Sequence, residues 1–72
     1  MNVKALKIRC VELDITAEDW QKCLGLKTKA SAYNKMNGKS PLSLEQADKI
    51  QALLKIEDRD FAYYFLGHER PA

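Results

Sequence analysis

Residues 27–39 combine the side-chain types that bind nucleic acids. The stretch reads KTKASAYNKMNGK and holds four lysines, two asparagines and a tyrosine, with no acidic residue. Lysine can neutralise a phosphate, and asparagine can bond both N6 and N7 of an adenine. A solvated helix normally interleaves acids with its lysines. The absence of carboxylates therefore indicates either a surface that meets an anionic partner or an unusually one-sided solvent face.

The basic character is local. The 72-residue chain has a formal net charge of only +2. Residues 1–39 hold eight Lys/Arg and four Asp/Glu, whereas residues 40–72 hold four and six. Residues 22–39 contain five lysines and no acid. The chain thus carries one basic region on an otherwise balanced background.

Composition predicts one globular domain over residues 1–72, with 46% apolar and 31% charged residues. Cys10 and Cys23 fall on apolar helix faces, which predicts buried free thiols. With His68 as the sole histidine, we expect no metal site and no cofactor. No apolar run approaches the roughly 18 residues of a membrane span, and the N-terminus lacks a signal-peptide pattern. We therefore expect a cytoplasmic protein.

Apolar spacing and capping residues predict five short helices, an all-α fold. A first amphipathic helix is expected over residues 2–13, from Val3, Leu6, Cys10 and Leu13. Thr16 and Asp19 form a capping-box pattern for a second helix, which buries Trp20 and Leu24 and ends at Gly25.

The second half of the chain shows the same signals. Thr28 is a candidate cap for a third helix that runs to about Met36 and stops at Asn37-Gly38. Ser43 and Gln46 form another capping box, for a fourth helix that ends near Lys55 and carries Leu44, Ala47, Ile50, Leu53 and Leu54 on its apolar face. Asp58 is predicted to cap a short fifth helix with Phe61, Tyr64 and Phe65, followed by Gly67.

The run ITAEDWQKCLGLKTKASAYNKMNGKSPLSLEQADKIQALLKI places two of these helices on either side of a very short turn. Thr16 opens the first, Leu24-Gly25-Leu26 forms the turn, and Asn37-Gly38-Lys39 follows the second. In these features, and in the helix ending LLKI, the chain resembles the Cro/repressor-type (XRE-like) helix-turn-helix family, especially small phage repressor-like proteins of Gram-positive bacteria. The resemblance covers about residues 13–56, with the motif at about 16–37. It implies a transcriptional regulator that binds double-stranded DNA, usually as a dimer on a palindromic operator.

The sequence departs from the family pattern at two points. Gln21 stands where the family usually has alanine, at the close contact between the two motif helices. The stretch from Gly25 to Asn37 is one residue longer than usual.

A helical wheel with Ala32 and Met36 inward gives the expected site residues. We predict base readout by Lys29, Ser31 and Asn34, and phosphate contacts by Thr16, Lys27, Lys35 and Lys39. Three alternatives remain open. Asn37 can serve as a helix C-cap, Tyr33 can pack in the core or at its rim, and the lysines can be a solvated face.

The C-terminal segment FAYYF has four aromatic residues in five positions. Phe61 and Phe65 are the natural inward pair, four residues apart, which leaves Tyr63 or Tyr64 partly exposed. Exposed aromatic patches commonly mark contacts. As a hypothesis, Phe61, Tyr63, Tyr64 and Phe65 belong to a homodimer interface within residues 57–67; the alternative is that the tyrosines lie flat on the surface.

We expect no enzymatic activity and no small-molecule substrate. His68 lies near the end of the chain, and the carboxylates Glu57, Asp58 and Asp60 cluster at a helix start, where capping accounts for them. The alternative to DNA binding comes from another class: a helix-turn-helix fold that binds a protein partner, as an antirepressor does.

Overall fold

Five α-helices account for most of residues 1–68, the part of the chain that the computed structural model describes. There is no strand in this range. The helices are α1 (Val3–Glu12), α2 (Ala17–Leu24), α3 (Lys29–Met36), α4 (Leu44–Leu53) and α5 (Phe61–Phe65), with a 3₁₀ turn (Asp58–Asp60) leading into α5. The predicted all-α fold is confirmed, and none of these helices has the length and apolarity that a membrane crossing requires.

Side-chain caps begin the middle helices where the sequence predicts them. At α2, the Thr16 backbone N–H donates to Asp19 Oδ2 at 2.8 Å, and the Thr16 hydroxyl accepts from Asp19 N–H at 3.4 Å. Ser43 and Gln46 form the equivalent pair at α4, with both hydrogen bonds at 3.1 Å. Each such cap stabilises a helix start by about 1 kcal/mol, so short local patterns determine where these helices begin.

The core is centred on Trp20, which is 0% exposed, as the sequence predicts. Leu6, Ile50 and Leu54 are the other large side chains with almost no exposed surface. The indole N–H of Trp20 has no hydrogen-bond partner that meets ordinary geometry within residues 1–68, and it lies beside the Cys10 thiol, a weak acceptor. Burial raises the pKa of Cys10, and the contact with Trp20 lowers it by a smaller amount. Helix α2 packs against both α3 and α4, so it lies between them in the fold.

Helix α1 is joined to the C-terminal half of the chain by hydrogen bonds. Arg9 Nε donates to the Leu54 carbonyl at 2.9 Å, and an Arg9 terminal nitrogen donates to the Lys55 carbonyl at 3.2 Å. These carbonyls stand at the C-terminal end of α4, where a cation also complements the helix dipole. The Asn2 backbone N–H donates to the Tyr64 carbonyl at 2.9 Å, which connects the start of α1 to α5.

Some local predictions are wrong. Leu44 is 73% exposed, because it stands at the first turn of α4, ahead of the part that packs on α2. Asp58 does not cap a helix, and its carboxylate instead accepts a hydrogen bond from Gln51 Nε2 at 2.7 Å. Cys23 and Leu24 are half-buried, since both lie at the edge of the α2 face that meets the core.

Candidate nucleic-acid interface

The turn between α2 and α3 is a Schellman motif. Gly25 adopts a left-handed conformation, with φ of 66°. Its N–H donates to the Lys22 carbonyl at 3.4 Å, and the Leu26 N–H donates to the Gln21 carbonyl at 3.0 Å. Leu26 then packs on the core, and the Thr28 hydroxyl accepts from the Ser31 N–H at 3.1 Å to begin α3. Two hydrogen-bonded helix ends thus fix the direction in which α3 leaves α2.

Small residues allow α3 to lie close to the rest of the fold. Ala32 is 0% exposed and Ala17 on α2 is also buried. Gln21 is half-buried and lines a hollow at the turn together with Leu26 and Lys29. The long amide therefore lies at the rim of the α2–α3 contact, where it does not obstruct the packing of Ala32.

The solvent face of α3 is formed by Ala30, Tyr33 and Asn34, all of which are exposed. The inward positions of Ala32 and Met36 follow the predicted wheel, with Met36 half-buried. Tyr33 is 52% exposed, so the alternative that it packs in the core is wrong. Sequence periodicity could not settle the exposure of Tyr33, because Ala30, Tyr33 and Met36 form an apolar stripe as regular as that of Ala32 and Met36.

Asn37 is the C-cap of α3, the role that the sequence left open for it. It does not take the left-handed conformation that would favour asparagine there, because Gly38 takes it, with φ of 75°. A Cβ at Gly38 would stand 3.0 Å from Val3 Cγ2. Glycine is therefore needed both for the backbone conformation and for the close approach to α1.

The three predicted base-reading residues occupy different environments. Lys29 and Asn34 are exposed, and their side chains make no hydrogen bond or ion pair within residues 1–68. Ser31 is half-buried, and its hydroxyl lies 3.0 Å from the Thr28 hydroxyl, within the N-terminal cap of α3. The geometry thus leaves Lys29 and Asn34 available for an external partner and uses Ser31 inside the helix start.

The four predicted phosphate-binding residues also differ in whether their side chains are bonded within the fold. Lys27 and Lys39 are exposed and have no acidic partner in the described part of the chain. Lys35 is half-buried, and its ammonium donates to the Pro41 carbonyl at 2.7 Å and to Gln46 Oε1 at 3.3 Å. It therefore fastens the C-terminal half of α3 to the loop and to the cap of α4.

Thr16, the fourth of these residues, lies at a helix start that already carries negative charge. Its hydroxyl donates to Asp19 Oδ2 at 3.1 Å, and these Thr16 hydrogen bonds lower the pKa of Asp19. Glu18 follows in the same turn and pairs with Lys22 at 3.4 Å. The start of α3 has no acid in its first turn. An anion is consequently favoured at the start of α3 and disfavoured at the start of α2.

We call the exposed set around α3 the α3 surface: Lys27, Lys29, Ala30, Tyr33, Asn34 and Lys39. Lys39 belongs to it because its backbone N–H donates to the Asn34 carbonyl at 2.9 Å, which folds the following loop back against the helix end. Three uncompensated ammonium groups thus accompany an amide, a methyl group and an aromatic ring.

The predicted dimer residues are largely used within the fold. Tyr64 and Phe65 are buried, whereas Phe61 and Tyr63 are half-buried. The Phe61 and Phe65 rings stack at 4.8 Å, as expected for an inward pair. The prediction that one tyrosine stays partly exposed is confirmed for Tyr63. Self-association through these residues stays a prediction.

No group of three or more histidine, cysteine or acidic side chains within residues 1–68 is arranged to hold a metal ion. Comparison with protein-family models, with curated proteins and with solved structures finds no match to this chain.

Proposed function

We propose that this chain is a sequence-specific DNA-binding transcriptional regulator that places α3 in the major groove. The observation that carries the proposal is the α3 surface: short polar and apolar groups at its centre, three lysines without acidic partners around it, and no carboxylate in the first turn of α3. A helix of this kind fits the width of the major groove of B-DNA, and its lysines can meet phosphates on either side.

Each part of the α3 surface has a distinct task. Asn34, with an unbonded amide on the central exposed line of α3, can make a bidentate contact to adenine. Lys29 in the first turn is placed for a guanine edge, and Lys27 and Lys39 at the two ends of the helix neutralise phosphates. Lys35 fixes the orientation of α3 relative to the following loop, because its ammonium donates to the Pro41 carbonyl. It contributes to DNA binding by positioning the helix.

The regulatory form we propose is a small phage-type repressor that occupies a palindromic operator as a homodimer. One copy of α3 covers a few base pairs, so two copies on half-sites one helical turn apart would supply the length that a specific operator needs. Among the four C-terminal aromatic residues, Phe61 and Tyr63 retain surface for such a contact. Sedimentation of the Tyr63→Ala variant tests this form, because an unchanged dimer removes Tyr63 from the interface.

Selection from a random double-stranded DNA library tests the function itself. The bound fraction is sequenced for the wild type, for Asn34→Ala and for Val11→Ala, an exposed control on α1. We expect the wild type and the control to enrich the same inverted repeat. Asn34→Ala should lose preference at one position per half-site, by about 1–3 kcal/mol. A wild type that enriches no sequence and binds no duplex at low salt contradicts the proposal.

A second candidate, a protein-binding module, is favoured by one observation. Leu44, Leu66 and Met1 are exposed apolar residues and line, with Phe61, an open groove of about 480 Å³. Apolar grooves of this kind suit a partner's apolar side chains. The same library selection discriminates the two functions, because a module that binds only protein enriches no sequence and shows little affinity for duplex DNA even in dilute buffer.

A further inference from the structure

We propose that Tyr33 determines specificity by packing its ring against the 5-methyl group of a thymine next to the base that Asn34 reads. The inference rests on the proposed function and adds to it a residue and a base that the predicted base-readout set, Lys29, Ser31 and Asn34, does not include. It assigns the apolar part of the α3 surface to one chemical group in DNA.

The exposure of Tyr33 is the first observation. The side chain is 52% exposed in the middle of α3, and it makes no hydrogen bond or ring contact within residues 1–68. A tyrosine that meets a partner buries about 150–250 Å² and contributes strongly to interface energies. About half of the Tyr33 surface is left uncovered by the fold, so this part of the ring is available for an external contact.

The position of Tyr33 on the helix is the second observation. It is adjacent to Asn34 in sequence, about 100° away around the helix axis. Ala30, one turn earlier on the same exposed face, has only a methyl group and leaves the ring unobstructed on that side. When Asn34 is within hydrogen-bonding distance of a base edge, the longer Tyr33 side chain reaches a neighbouring base pair in the same groove.

The chemistry of the major groove then selects the contact. Base edges present hydrogen-bond donors and acceptors there, and the thymine methyl is the apolar group among them. The competing contact is a hydrogen bond from the Tyr33 hydroxyl to a phosphate. Lys27 and Lys39 already serve that task at the two ends of α3, and a hydroxyl contact would leave the exposed ring without a partner.

Methyl deletion in the DNA tests the assignment. In the duplex selected by the wild type, each thymine of a half-site is replaced in turn by uracil, which removes the methyl group alone. We expect one replacement to weaken wild-type binding about fourfold, the factor that corresponds to burying one methyl group. Tyr33→Ala should bind both duplexes equally, Tyr33→Phe should retain the fourfold difference, and the exposed control Val11→Ala on α1 should behave as the wild type.

The possible failures are distinguishable. If the wild type enriches a sequence but no uracil replacement matters, or if Tyr33→Ala keeps the same sensitivity, the assignment of Tyr33 is overturned and the DNA-binding function stands. If Tyr33→Phe weakens binding to both duplexes by the same factor as Tyr33→Ala, the contact belongs to the hydroxyl and the inference is overturned. If the wild type enriches no sequence, the proposed function itself falls. Because Tyr33 is exposed, these variants should fold, and circular dichroism confirms it.

Discussion

The salt dependence of DNA binding should report how many lysines are free to meet phosphates. Residues 22–39 contain five lysines, which would give a slope of log K against log salt of about −4.5 per subunit if all neutralised phosphates. The structure reduces the number. Lys22 pairs with Glu18, and the Lys35 ammonium is held by Pro41 and Gln46. Lys29 is proposed to read a base edge, so Lys27 and Lys39 remain for phosphates and predict a slope of about −1.8 per subunit.

Single substitutions divide this slope among the lysines. Lys27→Gln should make the slope shallower by about 0.9, so that raising salt from about 50 to 200 mM costs about 3.5-fold less affinity than in the wild type. Lys35→Gln should leave the slope unchanged and lower the free energy of unfolding by about 1 kcal/mol, since it loses hydrogen bonds within the fold. Lys49→Gln is the matched control, because Lys49 lies on α4 and pairs with Glu45 at 3.7 Å.

Fluorescence anisotropy of a labelled random-sequence duplex of about 20 base pairs, titrated at several salt concentrations, measures these slopes. Urea unfolding of the same variants measures stability. An equal change of slope in Lys35→Gln and Lys27→Gln would show that the Lys35 ammonium leaves Pro41 when DNA binds, and the assignment of Lys35 as a positioning residue would be refuted. A wild-type slope near zero would refute phosphate binding by the α3 surface.

Substitutions in three further places test the fold that positions this surface. Ala32→Leu should lower the free energy of unfolding by about 1–3 kcal/mol in urea titration, because Ala32 is fully buried, whereas Ala30→Leu on the exposed face should change it by less than about 0.5 kcal/mol. Arg9→Met should cost about 2 kcal/mol in thermal unfolding through the lost bonds to the end of α4, and Arg9→Lys should restore only part of it, since lysine cannot donate as a fork. Hydrogen bonds from Thr16 lower the pKa of Asp19 below its ordinary 3.8; the advantage of the wild type over Asp19→Asn should therefore be complete above that value and disappear as pH falls through the lowered pKa. Pairs of unfolding curves between about pH 2 and pH 7 measure it, and a pH-independent difference would contradict this role for the carboxylate.

Local signals in the sequence predicted most of the helix starts and the turn between α2 and α3. The capping boxes at Thr16 and Ser43 and the left-handed turn at Gly25 depend on residues no more than five positions apart, so a short pattern contains all the information. The same reasoning explains the correct inward placement of Ala32, which follows from the spacing within α3.

The environments that the sequence did not predict depend on contacts between distant parts of the chain. The partners of Lys35 belong to a loop and to α4, so no spacing within α3 indicates that its ammonium is occupied. Two apolar stripes compete on α3, and packing against α2 decides that Ala32 is buried and Tyr33 is exposed. Leu44 fits the apolar pattern of α4, but it stands in the first turn, ahead of the part of the helix that packs on α2.

The division of α3 into a packed side and an exposed side has a consequence for evolution. Ala30, Tyr33 and Asn34 make no contact on which the core depends, so replacing them costs little beyond the few tenths of a kcal/mol that separate ordinary helix propensities. Residues on the packed side, such as Ala32, tolerate little change. A lineage could therefore alter the surface that this helix presents through successive single substitutions, each of which leaves a folded protein.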